Sequence, residues 1–190
     1  ADVSIVFDLM TGPQVGEHVA WRLELPAPRA EQLADLRVAV LPQPDWLPLD
    51  EEIAGALEDW AGRLSRAGAR VATVDPLDGD LKELFKNYLR ILFAQTSASA
   101  SRAEAEETAA GLREDGDEFL VAAAEGWLAS AADYLRWFWE REIIRERLRG
   151  FFEEWDVLLA PCAILNAFEH TEWDDSGDDG RSLPVNGEQV

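Results

Sequence analysis

Cysteine and histidine are scarce in this chain of 190 residues, and their scarcity removes several classes of function. Cys162 is the single cysteine, so the chain can form neither an internal disulfide nor a metal site built from several thiolates. Because Cys162 follows an apolar run, we interpret it as a small buried residue rather than a nucleophile. His18 and His170 lie far from any partner at ligand spacing, which favours surface or hydrogen-bonded side chains over catalytic ones.

Lysine is also rare, with only Lys82 and Lys86 among 17 basic residues, and the formal net charge is -21. Such an acidic chain is unsuited to binding nucleic acid or an anionic membrane. Salt adaptation and a biased, arginine-rich genome both remain as explanations of this composition. The sequence has no apolar run of about 18 residues and no signal-peptide pattern, and with its one cysteine it is typical of a cytoplasmic protein.

Motifs for several chemistries are absent from the sequence. No serine lies in a Gly-x-Ser-x-Gly turn, and the alternating serines at 97–101 are typical of a helix boundary. No Gly-x-Gly-x-x-Gly or Gly-Lys-Ser/Thr segment indicates a nucleotide site. We therefore predict no catalytic residue, no metal ligand and no cofactor. The acidic residues near the C-terminus lack calcium-loop spacing and favour a solvated loop over a calcium site; they are Asp174, Asp175, Asp178 and Asp179.

The clearest local unit is a predicted strand–helix–strand. The run at 36–41 is apolar and rich in β-branched residues, and 70–74 is a second such run. Between them, Asp50 can cap a helix that ends near Gly68. Short connections make this a right-handed βαβ unit with parallel strands. The apolar face predicted for the helix consists of Ile53, Leu57, Trp60 and Leu64.

The rest of the chain is predicted to be mainly helical. The fold class is therefore α/β: a small, mainly parallel sheet of about three strands, with one βαβ unit, packed with several long helices. We expect one domain over 1–190, an extended connector at 13–35 and an acidic, loop-like tail at 166–190. The further elements are a helix ending at Gly12-Pro13, a largely buried helix at about 80–96, helices at 102–113, 117–129 and 131–153, and a third strand at 156–160.

Trp137, Phe138 and Trp139 are consecutive on the last of these helices. Successive helical residues point about 100° apart, so the three rings cannot all face one core. Either another element covers Trp139, or it lies at a pocket or an interface. Core filling and the lining of an apolar pocket both remain open for this group.

Five segments, in order along the chain, resemble the amidase-signature hydrolases. Together they span nearly all of the sequence, and they cover the region that follows the catalytic core in that family. They are ADVSIVFDLMTGP at 1–13, WRLELPAPR at 21–29, LRVAVL at 36–41 leading to Asp50 and Ile53, FFEEWDVLLAP at 151–161 and LPVNGE at 183–188.

The resemblance implies amide or ester hydrolysis by a Ser–cis-Ser–Lys triad in the intact family. The glycine- and serine-rich nucleophile loop has no counterpart here, so no residue inherits a catalytic role, and Lys82 and Lys86 are not assigned to the triad. We expect a fragment that is inactive alone and that supplies fold and part of the substrate-funnel wall. The wall candidates are Trp137, Phe138, Cys162 and Phe168.

The partners expected are a second copy of this chain or the remainder of the parent amidase, with a small amide substrate only in the intact enzyme. Uncovered strand edges and apolar faces would favour self-association. The alternative hypothesis is a free-standing, non-catalytic binding or structural module. A third, an unrelated metal-dependent enzyme, would use the acidic tail.

Overall fold

The computed structural model describes residues 2–114, 116–167 and 184–189. The chain divides into two compact units, 1–32 and 33–190. The first contains α1 (Asp2–Met10) and a 3₁₀ turn at Glu17–Val19, and the remainder of 13–32 is extended or turned. The predicted helix before Gly12 is confirmed, and its apolar side chains are exposed. The expectation of one domain over 1–190 stays a prediction.

The second unit contains a three-stranded parallel sheet. Its strands are β1 (Arg37–Val40), β2 (Arg70–Thr73) and β3 (Val157–Leu159), in the order β2-β1-β3. Because β1 pairs on both sides, Val38 and Ala39 are completely buried. The predicted α/β class, the parallel pairing and all three strands are confirmed.

The crossover helix α2 (Glu51–Arg66) follows the predicted cap: the Asp50 carboxylate accepts a 2.8 Å hydrogen bond from the Glu52 N–H. Gly68 adopts a φ of 98°, which terminates the helix at little steric cost. Of the predicted apolar face, Ile53, Leu57 and Leu64 are half-buried. Trp60 is 55% exposed, and the Arg63 guanidinium lies 5.3 Å from its ring centre.

In the described residues between β2 and β3, the chain forms four α-helices, namely α3 (Leu81–Thr96), α4 (Arg102–Glu114), α5 (Glu118–Trp127) and α6 (Ala131–Glu154). Small residues allow them to approach closely: Ala105 and Ala109 of α4 are buried, and so is Gly126 of α5. The prediction that α3 is largely buried is wrong. Only Asn87 and Ile91 of this helix are buried, because α5 and α6 cover part of its circumference and leave apolar side chains at solvent.

Arg37 and Asp156 join the start of β1 to the start of β3. The Arg37 side chain donates from Nε and Nη2 to the two carboxylate oxygens, at 2.9 and 2.8 Å. The backbone N–H of Arg37 also donates to Asp156 Oδ2 at 2.9 Å, and the Asp156 N–H returns a bond to the Arg37 carbonyl. The two strands are therefore fixed in register at the residues where they begin.

The predicted loop-like tail contains a short hairpin. β4 (Pro184–Val185) pairs antiparallel with β5 (Glu188–Gln189). Asn186 and Gly187 connect them with positive φ values of 53° and 86°, as a type I′ turn requires. For these residues the loop prediction is wrong. The acidic segment between 168 and 183 lies outside the described residues.

Across the ranges that the structure describes, no helix combines the length and apolarity needed to cross a membrane.

Candidate functional site

The carboxyl ends of the three parallel strands meet at one edge of the sheet, where ligands of open α/β sheets commonly bind. A cavity of about 520 Å³ lies here between the loop after β1, the helix α2 and strand β2. Leucine, proline and alanine dominate its wall, and the polar side chains available are Gln43, Glu58 and Thr73. The cavity suits a mainly apolar group with few hydrogen bonds.

The segment after β3 forms part of this edge. Pro161 lines the cavity, and the carbonyl of Ile164 accepts a 2.8 Å hydrogen bond from the Asp50 N–H, which ties the segment to the start of α2. Cys162 lies between these two residues and is exposed. The interpretation of Cys162 as a buried apolar residue is therefore wrong, because the chain has left the sheet at Pro161.

Two asparagines of the C-terminal segments, Asn166 and Asn186, form hydrogen bonds with the start of α2. Asn186 accepts from the Glu51 N–H and donates to the Leu49 carbonyl, both at 2.9 Å. Asn166 donates to Asp50 Oδ1 at 3.2 Å and to Glu52 Oε2, in the first turn of α2, at 2.9 Å. Sequence reasoning missed both residues, although the Asn-Gly pair at 186–187 is a hairpin signal.

Trp137 and Phe138 lie in different surroundings. Trp137 is 6% exposed and contributes to a polar cavity of about 490 Å³ that contains neither Phe138 nor Cys162. Phe138 is half-buried beneath the Arg141 guanidinium, 4.2 Å from its ring centre. Phe168 lies outside the described residues. A funnel wall formed by these four residues stays a prediction.

Trp139 is uncovered. Its side chain is 67% exposed, so no element of the described chain packs over it. With Leu135 and Ile143, exposed by 57% and 63%, it forms an apolar stripe along one face of α6. Of the two interpretations of this tryptophan, coverage by another element of the described chain is excluded.

The serines with hydrogen bonds in the described ranges act at helix ends. Ser97 Oγ donates to the Ala94 carbonyl at 3.2 Å. Ser130 Oγ accepts from the Asp133 N–H, and the Ser130 N–H donates to the Asp133 carboxylate at 3.1 Å, which completes a capping box at the start of α6. The Ser130 hydroxyl also donates to that carboxylate at 2.6 Å. The carboxyl pKa of Asp133 is lowered, chiefly by that hydroxyl bond. In these contacts each hydroxyl pairs with a carbonyl, a backbone N–H or a carboxylate, and none with a base such as lysine that would activate it.

Both lysines form ion pairs with carboxylates. Lys86 pairs with Glu83 and Glu118, and the Glu83 hydrogen bond is the largest cause of its raised pKa. Lys82 pairs with Glu118 and lowers the pKa of that carboxyl, and its Nζ lies 5.7 Å from the ring centre of Phe119. A lysine acting as a base must lose its proton, which the raised pKa of Lys86 opposes.

No group of three or more possible metal ligands occurs within residues 2–114, 116–167 and 184–189. His18 of the first unit accepts a 3.2 Å hydrogen bond from the Gly16 N–H through Nδ1, as the prediction of a hydrogen-bonded histidine states. The four aspartates considered for calcium and His170 lie outside the described residues.

Comparison with known proteins identifies a family. The family model described as Amidase matches residues 1–185. No curated protein and no solved structure matches the chain significantly.

Proposed function

Because this chain belongs to the amidase family, in which amide bonds are hydrolysed, we propose that its 190 residues form a non-catalytic lobe of such a hydrolase. In this proposal the nucleophile and the base that cleave the amide bond lie outside these residues, and the chain is inactive alone. The lobe completes the fold and provides part of the substrate-funnel wall.

The observation that carries the proposal is that both lysines of the chain form ion pairs with carboxylates. The family resemblance requires a lysine that can accept a proton, whereas Lys82 and Lys86 are both paired with carboxylates, and Lys86 has a raised pKa. Each projects from α3, and in the described part of the chain their ion pairs are with glutamate carboxylates rather than with a serine hydroxyl. The serine contacts described above are equally explained by helix capping.

The carboxyl edge of the sheet is the part of the lobe best suited to face a substrate. Its cavity is apolar, and the segment that carries Cys162 borders it through Pro161. Trp137 and Phe138 would contribute to the funnel from α6. The remainder of the parent amidase is the partner that the proposal implies, and the exposed apolar residues of α1, such as Phe7 and Leu9, support an association of this kind.

A free-standing, self-associating module is the second candidate. The exposed stripe of Leu135, Trp139 and Ile143 favours it, because pairing two copies through this face would remove large apolar side chains from water. The high negative charge opposes such pairing at low ionic strength.

Intact mass spectrometry of the protein from its native source separates the two candidates. A mass well above 21.2 kDa, with the chain's peptides inside a longer polypeptide, supports the lobe. A mass of 21.2 kDa contradicts a covalent lobe. Sedimentation at low and high salt then decides between self-association and a complex with a separate catalytic chain.

A further inference from the structure

The turn between β4 and β5 contains an asparagine followed by glycine. Of the three asparagines in the chain, Asn87, Asn166 and Asn186, only Asn186 has a glycine after it. In deamidation, the backbone nitrogen of the next residue attacks the side-chain carbonyl carbon of asparagine. Glycine allows this attack most readily, because it has no Cβ beside the nitrogen. Asn186 and Gly187 are both exposed, so water and hydroxide can reach them.

The backbone of the native turn keeps the two reacting atoms apart. Ring closure requires the Gly187 nitrogen to eclipse the Cβ of Asn186 about the Cα–C bond. Asn186 has a φ of 53°, in the left-handed region, where ψ is about +30 to +60°. At such a ψ, in an L residue, the Gly187 nitrogen lies opposite Cβ, and Cγ cannot reach it. The turn therefore blocks the reaction for as long as it keeps this conformation.

Two hydrogen bonds hold the Asn186 amide at the start of α2. Its Oδ1 accepts from the Glu51 N–H, and its Nδ2 donates to the Leu49 carbonyl, both at 2.9 Å. Moving Cγ onto the Gly187 nitrogen displaces both amide atoms from these partners. The Glu51 N–H also polarises the side-chain carbonyl, but this gives no acceleration while the nitrogen is out of reach. Reaction therefore requires the hairpin to leave α2.

We propose that Asn186 is a deamidation site that the bound hairpin protects, and that deamidation there, chiefly to isoaspartate, releases the hairpin from α2. When the hairpin opens, the Gly187 nitrogen loses its proton to hydroxide and forms a bond to Cγ. The bond from Cγ to Nδ2 breaks, and ammonia leaves after taking a proton from water. Water then opens the resulting succinimide, at Cγ to give aspartate or at the backbone carbonyl to give isoaspartate.

The two products differ in how well they fit the native turn. Aspartate still accepts from the Glu51 N–H, and the positive end of α2 favours its charge, but it has no donor for the Leu49 carbonyl. Isoaspartate carries the main chain through Cβ and lengthens the turn by one carbon atom. The connection between Val185 and Glu188 has only two residues, so isoaspartate is the product that prevents the hairpin from binding again.

Incubation of the unaltered chain at mildly alkaline pH, in native buffer and in urea that unfolds it, tests the protection. Mass spectrometry of peptides that contain residue 186 measures the gain of about one mass unit and separates aspartate from isoaspartate. We expect deamidation at least about tenfold slower in the native chain, because only the opened fraction reacts. Equal rates in the two conditions, or no deamidation in urea, would overturn the proposal.

A pair of variants at Glu51 isolates the hydrogen bond to α2. Glu51→Pro removes the N–H that Asn186 accepts from, and proline suits this first helical position because Asp50 has a φ of −57° and a ψ of 134°. Glu51→Gln is the matched control, since it removes the same charge and keeps the N–H. Native Glu51→Pro should deamidate about fivefold faster than Glu51→Gln, and the two should react equally in urea. Equal native rates would contradict the protection.

Hydrogen exchange of the aged chain tests the release. The Glu51 N–H should exchange at least about fivefold faster in chains with isoaspartate at position 186 than in unmodified chains. Unchanged exchange would contradict the release of the hairpin. If Glu51→Pro fails to fold, the comparison of native and unfolded chains still decides whether the hairpin protects Asn186.

Discussion

Replacing Gly126 by alanine tests the close crossing of α5 and α3. An added Cβ would lie 2.6 Å from the carbonyl oxygen of Arg90, 2.9 Å from the Cβ of Phe93 and 3.1 Å from the backbone nitrogen of Ala94. Two of these three atoms belong to the α3 backbone and the third is a Cβ, so no side-chain rotation relieves the overlap. The helices must move apart, and the neighbouring alanine contacts of α5 loosen with them.

The magnitude follows from two opposing terms. Overpacking a close contact costs about 1–3 kcal/mol, and the backbone overlap places this position toward the upper end. The better helix propensity of alanine offsets this cost by about 1 kcal/mol. The free energy of unfolding should therefore fall by about 1–2 kcal/mol, which for a chain of this size corresponds to a Tm lower by about 2–8 °C.

Gly111→Ala is the matched control, because Gly111 lies within α4 and an added Cβ would meet nothing within 4 Å. This variant should gain about 0.5–1 kcal/mol from helix propensity and reduced freedom of the unfolded chain. Circular dichroism during thermal and urea unfolding measures both. An increase in Tm for Gly126→Ala that equals the increase for Gly111→Ala would refute the close crossing.

Three further predictions concern polar contacts. Asp156→Asn should lower the Tm more than Asp59→Asn. Asp156 accepts hydrogen bonds from both the side chain and the backbone of Arg37, whereas Asp59 forms an exposed ion pair with Arg63 on α2. Equal losses of Tm in thermal scans of the two variants would contradict this. Asn186→Ala should speed hydrogen exchange at the Glu51 N–H, the first of α2, about five- to tenfold, because it removes a hydrogen bond of ~1 kcal/mol. Unchanged exchange would show that the hairpin is not bound to the start of α2. The α3 lysines lower the pKa of Glu118 from its ordinary value of 4.5. A carboxyl whose pKa is lower in the folded state stabilises the fold above its unfolded pKa, and this contribution disappears as the pH falls through the folded pKa. Glu118→Gln should therefore reduce the Tm at pH 7 and reduce the loss of Tm on acidification below about pH 4.5; an unchanged acid profile would contradict the ion pairs.

The sequence predicted the elements better than their packing. Runs of β-branched residues located the strands, and the cap at Asp50 located the start of α2, because both signals act within a few residues of the chain. The burial of α3 was overestimated, since the apolar residues of a helix do not tell how many neighbours cover it. In the same way, the spacing of Trp60 assigns it to the apolar face of α2 but does not tell whether another element covers it.

The candidate site was less predictable, because it depends on contacts between distant segments. Nothing local marks Gly126 as a crossing point or Asn87 as a residue with an unpaired acceptor, since both depend on which helices meet. The apolar residues before Cys162 predict a core position, whereas β3 ends at Leu159 and the thiol is exposed. The Asn186-Gly187 turn was readable from the sequence and was overlooked beside the acidic residues of the tail.

Hydrolysis of a simple amide by the purified 190-residue chain tests the central claim most directly. The account predicts no release of product from a chromogenic anilide or of ammonia from a primary amide, and no labelling of any serine by a serine-directed fluorophosphonate. Turnover that is lost in Lys86→Met or Lys82→Met, together with a labelled serine in this chain, would contradict it, because the reacting groups would then lie within these residues.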